Sequence, residues 1–175
     1  MRLRPPRIED AGWIAEAVSD PEIPRWTRIS SPYTKDDAFA WVAVAESMAR
    51  EGSAQHLLVA DTARDEPLGS VGLEVHARPA PHGEIGYWIA APARRRGAAT
   101  RAVRLLSAWA LEALALPLVE VHVLPQNGAS RAVALKAGFV PAGDRLEPFH
   151  GRIEQFDVYA LPNVDGAAVA DRPDP

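Results

Sequence analysis

No cysteine occurs among the 175 residues. That absence excludes a disulfide frame, a thiol nucleophile and a cysteine-ligated zinc site. A strong charge of one sign is also missing: 19 Lys and Arg against 23 Asp and Glu leave a formal net charge of −4. A generic nucleic-acid binder would be strongly basic. No apolar run approaches the roughly 20 residues that span a bilayer, and Trp109-Ala-Leu-Glu-Ala-Leu-Ala-Leu116 is broken by charge. The basic start, Met1 to Arg7, is not followed by the apolar segment of a secretory signal. A cytoplasmic protein is expected, with neither nucleic acid nor membrane as partner. Gly-x-x-x-x-Gly-Lys-Ser/Thr is absent, and so is a Gly-x-Gly-x-x-Gly after the first strand, which sets aside P-loop hydrolases and dinucleotide-binding Rossmann domains.

The chain is long enough for one domain whose core needs no covalent staple. Its sixteen prolines mostly fall where turns are wanted. A first helix is expected after Asp10, with Trp13, Ile14, Ala17 and Val18 at helical spacing. Residues 20–33 then read as a Pro-punctuated ordered loop. Thr34 and Asp37 form a helix-start signal; the helix they open presents Ala38, Trp41, Val42, Ala45 and Met48 on one face and stops at Gly52. Strands are predicted over 55–61, 68–76, 84–89, 118–124 and 155–161. A long helix is predicted over 100–115, and a short one over 129–137 closes at Gly138. Helices followed by interleaved strands and helices give an α/β class with a mixed sheet. Residues 162–175 are polar and turn-rich and are expected to be a disordered tail.

The most informative segment is Arg94-Arg-Arg-Gly-Ala-Ala-Thr100, between a strand and the long helix. A helix start exposes backbone N–H groups at the positive end of its dipole, and both favour a bound phosphate. Gly97 lets the backbone approach an anion closely, Ala98 and Ala99 leave it unobstructed, and the arginines add charge at the rim.

The segment Arg94-Arg-Arg-Gly-Ala-Ala99 matches the Arg/Gln-x-x-Gly-x-Gly/Ala signature of the GNAT superfamily of N-acetyltransferases and resembles the turn that holds the pyrophosphate of acetyl-coenzyme A. Two more segments agree in order. Glu84-Ile-Gly-Tyr-Trp-Ile89 is similar to that family's fourth strand, and Asn127-Gly-Ala-Ser130, continuing to Gly138-Phe139, is similar to its later helix. Arg25-Trp26, Pro32-Tyr33 and Asp37-Ala38 resemble the Rim-type branch, named for enzymes that acetylate ribosomal-protein N-termini. The resemblance spans residues 3–161, within an expected acetyltransferase domain of residues 1–161. It implies a mixed, mostly antiparallel sheet of about seven strands, flanked by helices and splayed between strands four and five. It also implies acetyl-coenzyme A as co-substrate, no metal, an amine acceptor and a possible homodimer.

In such a fold the pantetheine arm pairs with backbone freed by the splay, here residues 84–89 on one wall and 119–124 on the other. A backbone N–H near Trp88 or Ile89 polarises the thioester carbonyl, and Gly86 is expected to mark a bulge. Arg94, Arg95, Arg96, Gly97, Ala98, Ala99, Thr100 and Asn127 are the remaining coenzyme-binding candidates. An amine arrives protonated, so a base is needed; Glu84 ranks first, Glu120 second and His122 third. The tyrosine that many members carry seven residues after the Asn is Ala134 here. Ser130, three after the Asn as in the Rim-type branch, is the candidate acid, with a helix cap as its structural alternative. Trp26, Arg28 and Tyr33, with residues 149–151, are expected to line the acceptor pocket. The leading reading is acetylation of a peptide or protein N-terminus. The others are acetylation of a small amine such as an antibiotic or polyamine, a non-catalytic acyl-coenzyme A binder, and an interaction domain whose basic turn is only surface.

Overall fold

A computed structural model describes residues 1–77 and 80–163; of the tail expected over 162–175, Pro162 ends the last strand, and residues from 164 onward lie outside the described residues. Seven strands form one sheet: β1 Arg2–Arg4, β2 Ala54–Ala60, β3 Pro67–His76, β4 His82–Ile89, β5 Leu118–Val123, β6 Val140–Phe149 and β7 Arg152–Pro162. Their spatial order is β1-β2-β3-β4-β5-β7-β6. Every neighbouring pair is antiparallel except β4 and β5. Parallel neighbours need a crossover, and helix α4, Ala98–Glu112, supplies it. Beyond Gly83↔Val119 and Glu84↔Glu120 the β4–β5 ladder stops. The two strands therefore fork toward their C-terminal ends.

Helices α1 (Ala11–Val18), α2 (Glu22–Trp26) and α3 (Lys35–Glu51) precede the sheet, and α5 (Gly128–Ala137) follows β5. One cluster buries Ala102, Val103 and Leu106 of α4 with Val71, Ile85 and Val121 of the sheet. A second gathers Ile14, Val18, Ala38 and Val42 with Leu58. The local signals explain the helix limits. Thr34 and Asp37 make a reciprocal capping box, and Gly52 ends α3 in the left-handed region at φ 72°.

Two strands, β1 and β6, have no counterpart among those predicted from the sequence, and both lie at sheet edges. With Pro141, Gly143 and Pro148, β6 reads as loop, yet an edge strand tolerates proline because one row of its N–H groups faces no neighbour. Its ladder with β7 shifts register between Pro141 and Asp144. The bulge expected at Gly86 is not formed. The β3–β4 register runs unbroken from Gly69↔Ile89 through Gly72↔Gly86 to His76↔His82. The gap comes instead from β5 parting from β4.

Candidate active site

At the mouth of the fork, the turn into α4 holds two left-handed residues, Arg95 at φ 61° and Gly97 at φ 76°. For a non-glycine residue this conformation costs about 1–2 kcal/mol, and such strain gathers at ligand-binding turns. No side chain caps α4, and its first backbone bond runs from Arg101 N–H to Gly97 O. The N–H groups of Ala98, Ala99 and Thr100 are thus left as donors. They line a cavity of about 450 Å³ together with Tyr87, Trp88, Ile89, Arg95, Gly97, Asn127 and Ser130. A Cβ at Gly97 would meet nothing within 4 Å, so the approach to these donors is open.

The three arginines take different places. Arg94 lines the cavity, but its Nε donates to Ile89 O at 2.8 Å and its guanidinium pairs with Asp20 at 2.7 Å. It therefore ties the turn to β4 and to the segment between α1 and α2. Arg95 is exposed at the rim. Arg96 is exposed outside the lining, its carbonyl accepting from Arg101.

Deeper in the fork stands a pair of hydroxyls. Asn127 Oδ1 accepts from Ser130 N–H at 3.0 Å, so Asn127 is the helix cap and the Ser130 hydroxyl is not engaged as one. Ser130 Oγ instead lies 2.7 Å from the Tyr87 hydroxyl, which is also 3.2 Å from Ser130 O. Burial pushes the Tyr87 phenol up to about 12, so it stays a proton donor at neutral pH.

A second cavity, about 500 Å³, shares Trp26, Thr27, Tyr87 and Trp88 with the first. Arg28, Tyr33, Glu74, Glu84, Gly86 and Phe149 line the rest of it together with Trp41, His56 and Phe156. Trp88 is braced from behind by Trp13, ring centroids 5.7 Å apart. Burial raises the Tyr33 phenol and lowers the His56 imidazole from their ordinary values. His150 Nε2 donates to the carbonyls of Pro24 and Thr27, at 2.9 and 3.0 Å, and so fastens the β6–β7 hairpin to α2 and the residue that follows it.

The three base candidates converge. Glu120 and Glu84 are register partners, and His122 Nε2 donates to Glu120 Oε2 at 2.9 Å. His122 Nδ1 lies 3.5 Å from Glu84 Oε2 and 2.7 Å from Glu147 Oε1. Arg28 pairs with Glu84 Oε1 at 3.4 Å and with Glu147 Oε2. Trp26, Arg28 and Tyr33 thus share one cavity with Glu84, as expected for an acceptor wall. Tyr87, Glu147, His76 and Glu74 are additions. Tyr87 lies in the strand motif beside Trp88, but no role was assigned to it from the sequence. Glu147 lies on the edge strand that the prolines concealed.

Residues 1–140 match the acetyltransferase (GNAT) domain family. The chain is 28% identical over 162 residues to the uncharacterized N-acetyltransferase p20 of Bacillus licheniformis, covering 91% of this chain and 89% of that protein. Its fold is similar to that of Mycobacterium smegmatis RimJ in complex with CoA-disulfide, with a TM-score of 0.80, 21% identity and coverage of 97% and 88%. It is also similar to spermidine N-acetyltransferase from Vibrio cholerae in complex with CoA and spermine, with a TM-score of 0.77, 18% identity and coverage of 95% and 97%. Unpaired helix-start donors, a fork in the sheet and a cavity along it fit a diphosphate-bearing thioester. With this family match behind that fit, the chain belongs to the GNAT acetyltransferase family and is an acetyl-coenzyme A-dependent N-acetyltransferase.

Proposed function

We propose that the acceptor is the N-terminal amine of a peptide or protein, acetylated in the cytoplasm where the coenzyme A thioester pool lies. One observation carries the reading: two cavities share the wall formed by Trp26, Thr27, Tyr87 and Trp88, with a carboxylate cluster on one side and a hydroxyl pair on the other. Acetyl-coenzyme A supplies the activated acyl group. The chain's own residues hold it, accept a proton from the amine and return one to the departing sulfur.

The N–H groups of Ala98, Ala99 and Thr100, with the dipole of α4, take the diphosphate, and Arg95 adds charge at the rim. The ladder groups of β4 freed beyond Glu84 pair with the amide-rich arm as an added strand would. A backbone N–H at Trp88 or Ile89 faces the charge that develops on the carbonyl oxygen. Glu84 accepts the amine proton, directly or through one water; Arg28 pairs with its Oε1. On the sulfur side, Tyr87 has a single proton. When it is given to Ser130 Oγ, the Ser130 proton turns into the cavity and goes to the leaving thiolate; water then returns a proton to Tyr87 and takes the one held by Glu84.

The aromatic walls at Trp26, Tyr33, Trp88 and Phe149 suit an ammonium followed by an apolar first side chain. A second reading, acetylation of a small polycationic amine, is favoured by Asp37, Glu74 and Glu84 lining that same cavity. A thiol-release assay with a peptide library and a panel of free amines decides between them. Turnover confined to peptides supports the first reading, and turnover confined to free amines overturns it.

A further inference from the structure

The cluster behind the acceptor cavity is not fully explained by proton transfer. His122 is the most enclosed member, its side chain 1% exposed. Its Nε2 donates to Glu120, which puts the lone pair of the neutral ring on Nδ1. That atom has no hydrogen-bond partner among the described residues. It faces Glu147 Oε1 at 2.7 Å and Glu84 Oε2 at 3.5 Å, two further lone-pair carriers. Three acceptors turned toward one point repel one another unless a positive centre sits between them.

We infer that Glu84, His122 and Glu147 form a binding site for a first-row divalent cation of the zinc class. Their three ligand atoms lie within 4.8 Å of one another. Tetrahedral zinc with bonds of about 2.0–2.2 Å needs donor separations of roughly 3.3–3.6 Å, so small side-chain adjustments close the set. One neutral imidazole and two carboxylates balance the charge of a divalent ion and match its preference for nitrogen and oxygen donors.

The surrounding groups are arranged as outer partners of such a centre. Glu120 holds the far nitrogen of the histidine, the carboxylate–histidine relation that orients metal ligands. Arg28 takes Glu84 Oε1 and Glu147 Oε2, the oxygens turned away from Nδ1, and leaves Glu84 Oε2 and Glu147 Oε1 for the ion. The guanidinium therefore orients both carboxylates without filling the site. His76 Nε2, also without a hydrogen-bond partner among the described residues, lies 3.7 Å from Glu84 Oε2 at the edge of the set. Occupancy would withdraw Glu84 from the acceptor amine and slow transfer. That consequence rests on Glu84 as proton acceptor; the binding itself does not.

The test is calorimetric titration of chelator-treated full-length protein with zinc chloride, on the parent chain and on Glu147→Gln, Glu84→Gln and Glu120→Gln. Coenzyme A binding by each variant serves as the check that it is folded. One equivalent of zinc is expected to bind with a low-micromolar or tighter dissociation constant. Loss of either ligand carboxylate should weaken it by at least about a hundredfold, and loss of Glu120 by about 10–100-fold. A zinc-soaked crystal should show anomalous density at His122 Nδ1. Absence of a one-to-one transition, equal affinity in the folded variants, or density only at surface histidines would each overturn the site. Zinc that binds here without slowing turnover would leave the site standing and remove Glu84 from the transfer reaction.

Discussion

Replacing Gly97 by valine separates the phosphate role of the α4 turn from its folding role. The residue sits at φ 76°, a region that a β-branched side chain avoids, so the backbone strain is about 1–2 kcal/mol. For a chain of this length that lowers the midpoint of thermal unfolding by roughly 2–8 °C. A Cβ there would meet no protein atom within 4 Å, so no clash adds to that figure. Because Gly97 lines the coenzyme cavity beside Ala98 and Ala99, the added methyl groups compete with a bound diphosphate for that space. Each hydrogen bond to a charged partner is worth about 1.5–3 kcal/mol. Loss of two is about 3–6 kcal/mol, roughly 10²–10⁴ in the dissociation constant for coenzyme A. Gly97→Ala carries similar dihedral strain with less bulk and should fall between parent and valine in affinity while matching valine in stability. Titration calorimetry and thermal melts of the bare proteins read the two effects separately. A valine variant that melts lower yet binds coenzyme A as the parent does would refute the phosphate assignment.

Glu84→Gln should lower kcat by about 10²–10⁴ and leave coenzyme affinity intact, because Glu84 lies outside the coenzyme cavity; a parent-like kcat would dismiss it as the proton acceptor. Tyr87→Phe and Ser130→Ala should each reduce kcat by about tenfold or more with little change in KM, and the double variant should lose scarcely more than either single one, since the two hydroxyls act as a unit. Strictly additive losses would break that pairing. Asp65 meets Arg2, Arg4 and Arg7; the hydrogen bond from Arg2, then that from Arg7 and the charges of Arg4 and Arg2, holds its carboxyl down at about 2. A depressed carboxylate contributes stability above its unfolded value near 4 and loses it as the pH falls toward 2. Asp65→Asn should therefore melt below the parent at pH 7, with the gap narrowing between pH 4 and 2; a gap independent of pH would show that the charge is not what matters.

The central part of the fold was legible because its signals are local. Thr34 with Asp37, Asn127 with Ser130, and the glycines at 52 and 138 fix helix ends within a few residues of themselves. The α4 turn was legible for the same reason, being a contiguous run of arginine, glycine and alanine. The edge strands escaped notice for different reasons: β1 is short and pairs with the distant β2, whereas β6 pairs with its neighbour β7 but carries Pro141, Gly143 and Pro148 and is mostly exposed. The site was legible only strand by strand. Glu84, Glu120 and His122 were each visible, but nothing in their spacing says that Glu147 and Arg28, 63 and 56 residues from Glu84, complete their surroundings. Ser130 was singled out, but nothing in its spacing says that Tyr87, 43 residues earlier on β4, stands against it. The hydroxyl is supplied from the neighbouring strand instead.

The parting of β4 from β5 also bears on how firmly this molecule holds together. A seam whose main-chain groups await a guest is completed only while the acyl donor is in place, and in a cell the donor is abundant. Saturation a hundredfold above the dissociation constant adds about 2.7 kcal/mol, a sizeable fraction of what keeps any small protein from unravelling. The empty chain is thus a weaker object than the working one, and heat or proteases will find it first when the thioester supply runs down.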